Sequence, residues 1–153
     1  MAKFANPRKS FNFSIQIAPD PIDAFLFQKV KLPDAEIEES VHGGTNHDIK
    51  TAGRVTYGKL VCEKLMPSTG ADNTLWNWFD SCQSSLLGGG VPPDMYKKII
   101  TVTEFAEDGV TVINTWLAEG CWPSSLPGLD LNRQSSDNTI ENVEFSIDIY
   151  SKV

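Results

Sequence analysis

Apolar and polar residues alternate at period two near both ends of the chain, and this pattern predicts a mainly β protein. Residues 11–17 place Phe or Ile at every second position, and residues 139–150 repeat the pattern with Val, Phe and Ile. Successive side chains of a strand point to opposite faces, so the alternation is typical of strands with one buried face. Both segments are therefore predicted to pack against a core.

The segment 27–65 continues this β character, with one irregularity. The apolar phase of the run that starts at Phe27 slips near Gln28, and an extra residue in the strand, a β-bulge, would explain the slip. The pattern predicts strand from Lys31 to Val41. It predicts strand again over residues 54–65, where apolar residues on both faces indicate a strand that is covered on both sides.

A polar stretch separates these two strands. Residues 42–53 contain a single large apolar residue, Ile49, together with three glycines. Long polar connections inside compact domains are usually functional or disordered. We predict a long loop here.

One helix is predicted, beginning near residue 74. Asp72 or Asn73 offers a short side-chain acceptor for the free N–H groups of a helix start. One apolar stripe follows at steps of four, three and four, formed by Leu75, Phe79, Cys82 and Leu86. Gly88–Gly90 is predicted to end the helix, because glycine adopts positive φ freely.

A hairpin is predicted after the helix. The segments 97–105 and 110–119 are rich in β-branched and aromatic residues, and they flank the turn signal Glu107–Gly109. The predicted strands and helix do not alternate along the chain as they do in proteins with parallel sheets. We therefore predict one domain over residues 1–153, an antiparallel β-barrel or sandwich with one flanking helix, in which residues 1–9 form a flexible or interface arm.

The composition is that of an ordinary soluble domain. The chain has 153 residues, 41% of them hydrophobic, and a net charge of −7. That charge disfavours sequence-specific binding of nucleic acid, which needs Lys and Arg against phosphates. No apolar run is long enough for a membrane span or a secretory signal, so we expect folding in a cytoplasm and no stable membrane insertion. The cysteines are expected to be buried free thiols, at Cys62, Cys82 and Cys121.

No constellation in the sequence indicates catalysis. His42, His47 and Asp48 are the nearest approach to a metal cluster, but two histidines on a glycine-rich loop lack the spacing of a helical zinc pair. No serine lies in a nucleophile elbow. We predict no enzyme activity, no metal site and no cofactor. Trp78 and Trp122 are candidates for contacts between subunits, because large amphipathic side chains are enriched at interfaces.

Taken in order, these segments resemble the contractile-tail tube protein family, which includes the major tail tube proteins of myovirus phages and the inner-tube subunits of phage-like injection particles. The resemblance extends over nearly the whole chain. It is carried by Phe11–Ile15, Phe27–Val30, Glu36–Gly44, Gly58–Lys64, Leu75–Trp76, Trp78–Phe79, Trp122–Pro123, Gly128–Asn132 and Ile140–Glu144.

The resemblance implies a structural role. In that family the subunit is a small barrel-like β fold with a flanking helix, six subunits close into a ring, and rings stack into a hollow helical tube. It implies a phage tail tube that conducts DNA and is driven through the host envelope when the sheath contracts. The implied partners are further copies of the chain, the sheath, the baseplate or tube initiator, the tail terminator, the tape-measure protein and, transiently, DNA or effectors. The implied location is a virion tail assembled in the host bacterial cytoplasm.

Two other classes of function are open at this point. One is an inner-tube subunit of an injection system, or a type VI-like secretion ring protein, that conducts protein effectors. The other is a small-molecule-binding β-barrel, which an isolated monomer in solution would favour.

The polar loop and the charge balance supply the candidate site residues. Ordering so polar a loop costs on the order of 1 kcal/mol or more per residue, so contacts with neighbouring subunits and the adjacent ring are expected to offset that cost. The candidates for these contacts are His42, Gly43, Gly44, His47, Asp48, Ile49, Lys50, Arg54, Trp78 and Trp122. A wall that conducts DNA gains by repelling phosphate, so we expect an acidic or neutral lumen. Its candidate wall residues are Glu104, Glu144 and Asp148.

Overall fold

Nine β-strands and two short helices make up the part of the chain that the computed structural model describes, residues 11–18, 27–66, 73–84 and 86–153. The strands are β1 Phe13–Ala18, β2 Phe27–Lys31, β3 Ala35–Gly43, β4 Asp48–Tyr57, β5 Leu60–Leu65, β6 Lys98–Phe105, β7 Val112–Ser125, β8 Ile140–Ser146 and β9 Ile149–Lys152. The helices are α1 Thr74–Cys82 and α2 Pro93–Tyr96. The predicted arm 1–9 and the capping candidate Asp72 lie outside the described residues.

Seven strands form one antiparallel sheet, and β3 pairs with β4 in a separate hairpin. The strand order of the large sheet is β1-β6-β7-β8-β5-β2, and β9 also pairs with β7. The first part of β7 pairs with β6 and β9, whereas Trp122–Ser125 pairs with β8. The long strand β7 therefore joins two half-sheets, β1-β6-β7-β9 and β7-β8-β5-β2.

One core lies between the two half-sheets and α1. Alternate residues of β1 and β6 are buried on one side, and those of β5 and β8 are buried on the side that faces them. The buried cluster comprises Ile15, Ile17, Phe27, Leu60, Cys62, Leu75, Trp78, Ile100, Val102, Ala118, Cys121, Val143 and Phe145. The predicted antiparallel fold with one flanking helix is confirmed.

A glycine forms the corner at which β7 leaves the first half-sheet. Gly120 has a φ of +67°, and a Cβ at this position would overlap the carboxylate of Asp148. The Asp148 N–H donates to the carbonyl of Glu119 at 3.0 Å, and its Oδ2 accepts a hydrogen bond from Lys97 Nζ at 2.6 Å. The chain thus crosses from β8, in one half-sheet, to β9, in the other, at this corner.

Several local predictions are confirmed. The β2–β5 register shifts between Phe27 and Lys29, as the predicted bulge at Gln28 requires. The β6–β7 hairpin forms, and Gly109 in its turn has a φ of +74°. The predicted last strand is divided into β8 and β9.

The helix is shorter than its apolar stripe predicts. It ends at Cys82, and Leu86 is 92% exposed beyond it. Gly88–Gly90 therefore do not end the helix; a bridge between Ser84 and Gly89 closes a turn there instead. No helix in the described ranges is long and apolar enough to cross a membrane.

The prediction of a long loop over residues 42–53 is wrong. These residues continue β3 and β4, which are joined by a tight turn where the Gly44 N–H donates to the His47 carbonyl at 2.9 Å. The hairpin stands apart from the core, so nearly all of its side chains are exposed. The alternation rule identified the first part of β3, but it gave no signal over residues 42–53, where polar residues and glycines occupy both faces of the hairpin.

Candidate assembly surfaces

One face of the β3–β4 hairpin bears most of its apolar side chains, and all of them except Tyr57 are exposed in the single chain. The apolar side chains of this face, called the apolar hairpin face below, are Ala35, Ile37, Val41, Ala52, Val55 and Tyr57. The register also places Glu39, Asp48 and Lys50 on it, and Lys50 Nζ lies 3.7 Å from Glu39 Oε2. Ile37 is 59% exposed, and Val41 and Val55 are also exposed. Contiguous apolar side chains in water are unfavourable and mark a contact surface.

The contact residues predicted within segment 42–54 lie together towards the turn of this hairpin. On the ladder His42 lies opposite Ile49, Gly43 opposite Asp48, and Lys50 opposite Val41. Gly44 and His47 form the turn, and Arg54 lies at the register shift near Glu38. All of them are exposed.

Ile49, expected to be the apolar anchor of this region, lies beside His42 on the polar face of the hairpin. That face is lined by Glu36, Glu38, Ser40, His42, Ile49, Thr51 and Thr56. The larger apolar area lies on the other face, around Ile37 and Val55, and neither of these residues is among the predicted contact residues.

Trp78, which the sequence analysis assigned to contacts between subunits, is instead buried in the core of the single chain. It is 4% exposed, its indole N–H donates to the Tyr96 carbonyl at 2.7 Å, and its ring centre lies 5.3 Å from that of Phe145. Lys98 Nζ lies 4.7 Å above the same ring, and partial burial lowers the pKa of this lysine. The helix instead exposes Trp76. Trp122 is half-buried and meets Tyr96 edge to face, so it stays a candidate.

The outer face of the β1-β6-β7-β9 half-sheet bears small hydroxyl groups and almost no charge. The register places the following residues on this hydroxyl face: Ser14, Gln16, Ala18, Ile99, Thr101, Thr103, Thr115, Leu117, Glu119, Ile149 and Ser151. Each of them is exposed or half-buried. Rows run across the strands, one of them through Gln16, Thr101, Leu117 and Ser151.

The outer face of the other half-sheet is charged. Lys29 lies opposite Glu63, and Lys59 Nζ lies 3.8 Å from Glu144 Oε2. Residues 128–139 border this face and leave a cavity of about 740 Å³ beside Glu63 and Asn142. The cavity is lined mainly by polar side chains and lies outside the core.

The three predicted lumen residues do not share one surface. Glu104 follows Ile100 and Val102 on the core side of β6 and accepts a hydrogen bond from Asn114 Nδ2 at 3.1 Å. Glu144 lies on the charged outer face. Asp148 lies at the corner between β8 and β9.

The β1-β6-β7-β9 half-sheet has two free edges among the described residues. There β1 pairs only with β6, and β9 only with β7. All its ladders are antiparallel, so the direction of the chain alternates through the four strands. The exposed N–H and C=O groups of such edges favour pairing with another strand.

Groups that could support chemistry are sparse. No three His, Cys, Asp or Glu side chains within the described ranges lie close enough together to hold a metal ion. The three cysteines are free, Cys62 and Cys121 are buried, and Cys82 is half-buried. Burial raises the pKa of the Cys62 and Cys121 thiols to about 12, so both remain protonated at neutral pH.

Solved structures with the same fold come from contractile machines. The chain is similar to the anti-feeding prophage cap, described as its tube terminating cap, with a TM-score of 0.81 and 16% identity over 100% of this chain and 95% of that one. A chain of the PVC sheath–tube complex, from an extracellular contractile injection system in the extended state, has a TM-score of 0.77 and 19% identity over 96% and 91%. A type six secretion system protein has a TM-score of 0.57 and 11% identity over 94% and 83%.

The family follows from the sequence itself. No curated protein sequence matches the chain significantly. The family model for T4-like virus tail tube protein gp19, however, matches residues 9–149, almost the full length. The chain belongs to the T4-like virus tail tube protein family.

Proposed function

We propose that this protein is the repeating subunit of the inner tube of a contractile tail, in which rings of six copies stack into a hollow conduit. The conduit carries DNA in a phage tail or protein effectors in an injection particle, and is driven through an envelope when the sheath contracts. The particle is assembled in the bacterial cytoplasm. The family is one of structural tube proteins, and no catalytic step enters the proposal.

The observation that supports this proposal best is the half-sheet with two free edges. Because its four strands alternate in direction, β9 of one copy placed beside β1 of the next continues the antiparallel order. A head-to-tail contact of this kind, repeated by rotation, closes into a ring and leaves neither edge of this half-sheet exposed.

The bulk of the subunit determines which face of this ring lies inside. One side of the half-sheet bears the core, the other half-sheet and α1, and the other side is the hydroxyl face. The bulky side needs the larger circumference. The hydroxyl face therefore lines the bore in this proposal, in place of Glu104, Glu144 and Asp148.

The hairpin provides a second contact between copies. In the proposed tube its apolar face packs against a neighbouring subunit, which removes Ile37, Val41 and Val55 from water. His47, Asp48, Lys50 and Arg54 then make polar contacts around it, to the same ring or the adjacent one.

The proposed partners are the sheath, the baseplate or tube initiator, the terminator and the tape-measure protein. The sheath, the baseplate and the terminator are supported by structural relatives from a sheath–tube complex, a baseplate and a tube terminating cap. The tape-measure protein is proposed from the tubular function alone.

Substitution of the hairpin tests the proposal. The double variant Ile37→Asn, Val55→Asn changes two exposed side chains, so we expect each to alter the free energy of unfolding by only about 0.5 kcal/mol. Tube formation, seen by negative-stain imaging and sedimentation, should be lost. Thr56→Asn, on the polar face of the same hairpin, is the matched control and should assemble normally. Normal assembly of the double variant would refute the hairpin contact, and a wild-type protein that stays monomeric with its baseplate partner would refute the tube.

A further inference from the structure

The strands of the β1-β6-β7-β9 half-sheet end at two boundaries, and the proposed ring points these boundaries towards the adjacent rings. In that ring the sheet continues around the circumference from β9 to β1, so its strands run, with some tilt, from one flat side of the ring to the other. We call residues 11–13, 104–114 and 151–153 the turn end, because they include the β6–β7 turn. Residues 16–18, 97–100, 118–121 and 147–150 form the corner end, which includes Gly120.

The turn end exposes apolar side chains on a turn that is already ordered in the single chain. Asp108 accepts hydrogen bonds from the N–H groups of Val110 and Thr111 at 3.0 and 2.9 Å, and the Gly109 N–H donates to the Ala106 carbonyl at 3.0 Å. Val110 is nevertheless 79% exposed. An ordered apolar surface loses little conformational entropy on binding, so it is suited to contact with another molecule. The exposed apolar side chains of this end are Phe11, Val110, Val112, Ile113 and Val153.

The corner end has an apolar row on the hydroxyl face. On the ladders Ala18 lies opposite Ile99, and Ile149 lies opposite Glu119. The β6–β7 ladder joins these two pairs into one row across the four strands. Ile99 and Ile149 are both exposed. The half-sheet therefore has apolar side chains at both ends and mainly hydroxyl groups between them.

Charge and symmetry both favour contact between unlike ends. The turn end has three acidic side chains and one basic side chain, Glu104, Glu107, Asp108 and Lys152. The corner end has two of each sign, Lys97, Lys98, Glu119 and Asp148. Two turn ends would therefore repel each other, whereas a turn end meets no net charge at a corner end. Contact between like ends would also stop after two rings, whereas contact between unlike ends repeats without limit.

We propose that the turn end of each subunit packs against the corner end of a subunit in the adjacent ring, so that Val110 and Val112 cover the apolar row at Ile99. The occupant of each end is thus a second copy of this chain. Both ends include residues of the edge strands β1 and β9, so this contact is continuous with the proposed contact within the ring. The inference rests on the proposed function, because it needs the ring, and it adds the surfaces through which rings stack.

Substitutions at each end test the inference. Val110→Asn, Val112→Asn alters the turn end and Ile99→Asn alters the corner end, and neither changes the net charge or an edge strand. We expect each variant of the full chain to form rings of six copies but about tenfold fewer tubes or less, because the lost apolar contact recurs in every subunit of a ring. Sedimentation and negative-stain imaging measure both assemblies.

A matched control is available on segment 128–139. Leu129 and Leu131 are exposed to a similar degree, 44% and 77%, against 53% and 79% for Val112 and Val110. The double variant Leu129→Asn, Leu131→Asn should form tubes in the wild-type amount. Loss of tubes in this control as well would contradict a specific role of the two ends.

A mixture of preformed rings shows which ends meet. Rings of Val110→Asn, Val112→Asn keep an intact corner end, and rings of Ile99→Asn keep an intact turn end. Mixed together, they should join into pairs of rings that grow no further, whereas neither variant alone should form pairs.

Other results would overturn the inference. Paired rings in one variant alone would mean that like ends meet. Wild-type amounts of tube from both variants would mean that these ends contact another protein, such as the sheath, or nothing. Variants that form no rings would place the substituted residues in the contact within the ring. A wild-type protein that forms no tubes would instead refute the proposed function.

Discussion

At the scale of single residues, the fold depends on backbone positions that only glycine fills well. Gly109 and Gly120 both have positive φ, and only at Gly120 would an added Cβ also overlap a neighbouring group, the Asp148 carboxylate. We expect Gly109→Ala to lower the free energy of unfolding by about 1–2 kcal/mol, the cost of a left-handed conformation, and Gly120→Ala to lower it further. Gly128→Ala, in open space, should change little. Urea unfolding of the unassembled subunit measures all three, and equal losses would contradict this account.

The charge of Asp108 orders the β6–β7 turn. Its Oδ1 accepts hydrogen bonds from the N–H groups of Val110 and Thr111 at 3.0 and 2.9 Å, and its Oδ2 accepts one from Thr111 Oγ1 at 2.6 Å. The side-chain bond from Thr111, followed by the backbone bonds, lowers the pKa of Asp108 from 3.8 to about 2.

This shift predicts a pH dependence of stability. The folded pKa lies below the unfolded one, so the stabilisation is fully present above about pH 4 and is lost as the pH falls through about 2. We expect the difference in Tm between the wild type and Asp108→Asn to be constant near neutral pH and to shrink across that interval. A difference that does not change with pH would assign the effect to the shape of the side chain and not to its charge.

Not every residue-scale feature could be predicted from the sequence. Lys64 takes the next inward position after Leu60 and Cys62 and is fully buried, and Glu141 lies opposite it on the β5–β8 ladder. A buried ammonium group needs a charged or hydrogen-bonding partner. The identity of that partner depends on strand register, which composition and alternation do not determine.

At the scale of elements, α1 is oriented by Trp78. We expect Trp78→Ala to lower the free energy of unfolding by about 3–5 kcal/mol, because it leaves a cavity beside Phe145 and removes the hydrogen bond to Tyr96. Trp76→Ala, two residues away and 58% exposed, should cost no more than about 0.5–1 kcal/mol. Thermal unfolding of both variants tests this orientation. Similar losses of unfolding free energy at the two positions would mean that Trp78 is not the tryptophan that α1 packs into the core.

Strands that contact the core could be predicted, as could the base of the β3–β4 hairpin, but its outer half could not. The alternation in β1 and β8 and the bulge near Gln28 were readable because burial on one face imposes a pattern on the residues. The outer half of the β3–β4 hairpin has no such constraint within one chain, because its side chains are exposed on both faces. The contact face proposed above, around Ile37 and Val55, therefore differs from the contact residues that the sequence predicts near 42–54, and both remain predictions.

At the scale of the whole molecule, charge and bulk are distributed unequally around one half-sheet. The chain has a net charge of −7, but almost none of its charged side chains lie on the hydroxyl face. The core, α1 and the second half-sheet all lie on the opposite side of this half-sheet. The composition could not show this division, because it requires the register of four strands. A ring that places the neutral face inside and the charged surfaces outside accounts for both features.

The most direct test of the account is a cryo-EM reconstruction of the assembled protein. We expect rings of six copies in which the sheet continues from β9 of one copy to β1 of the next, with Thr101 and Thr103 facing the bore and the apolar hairpin face covered by a neighbouring subunit. A protein that remains monomeric with its baseplate partner, or a tube whose bore is lined by Lys29, Glu63 and Glu144, would contradict it.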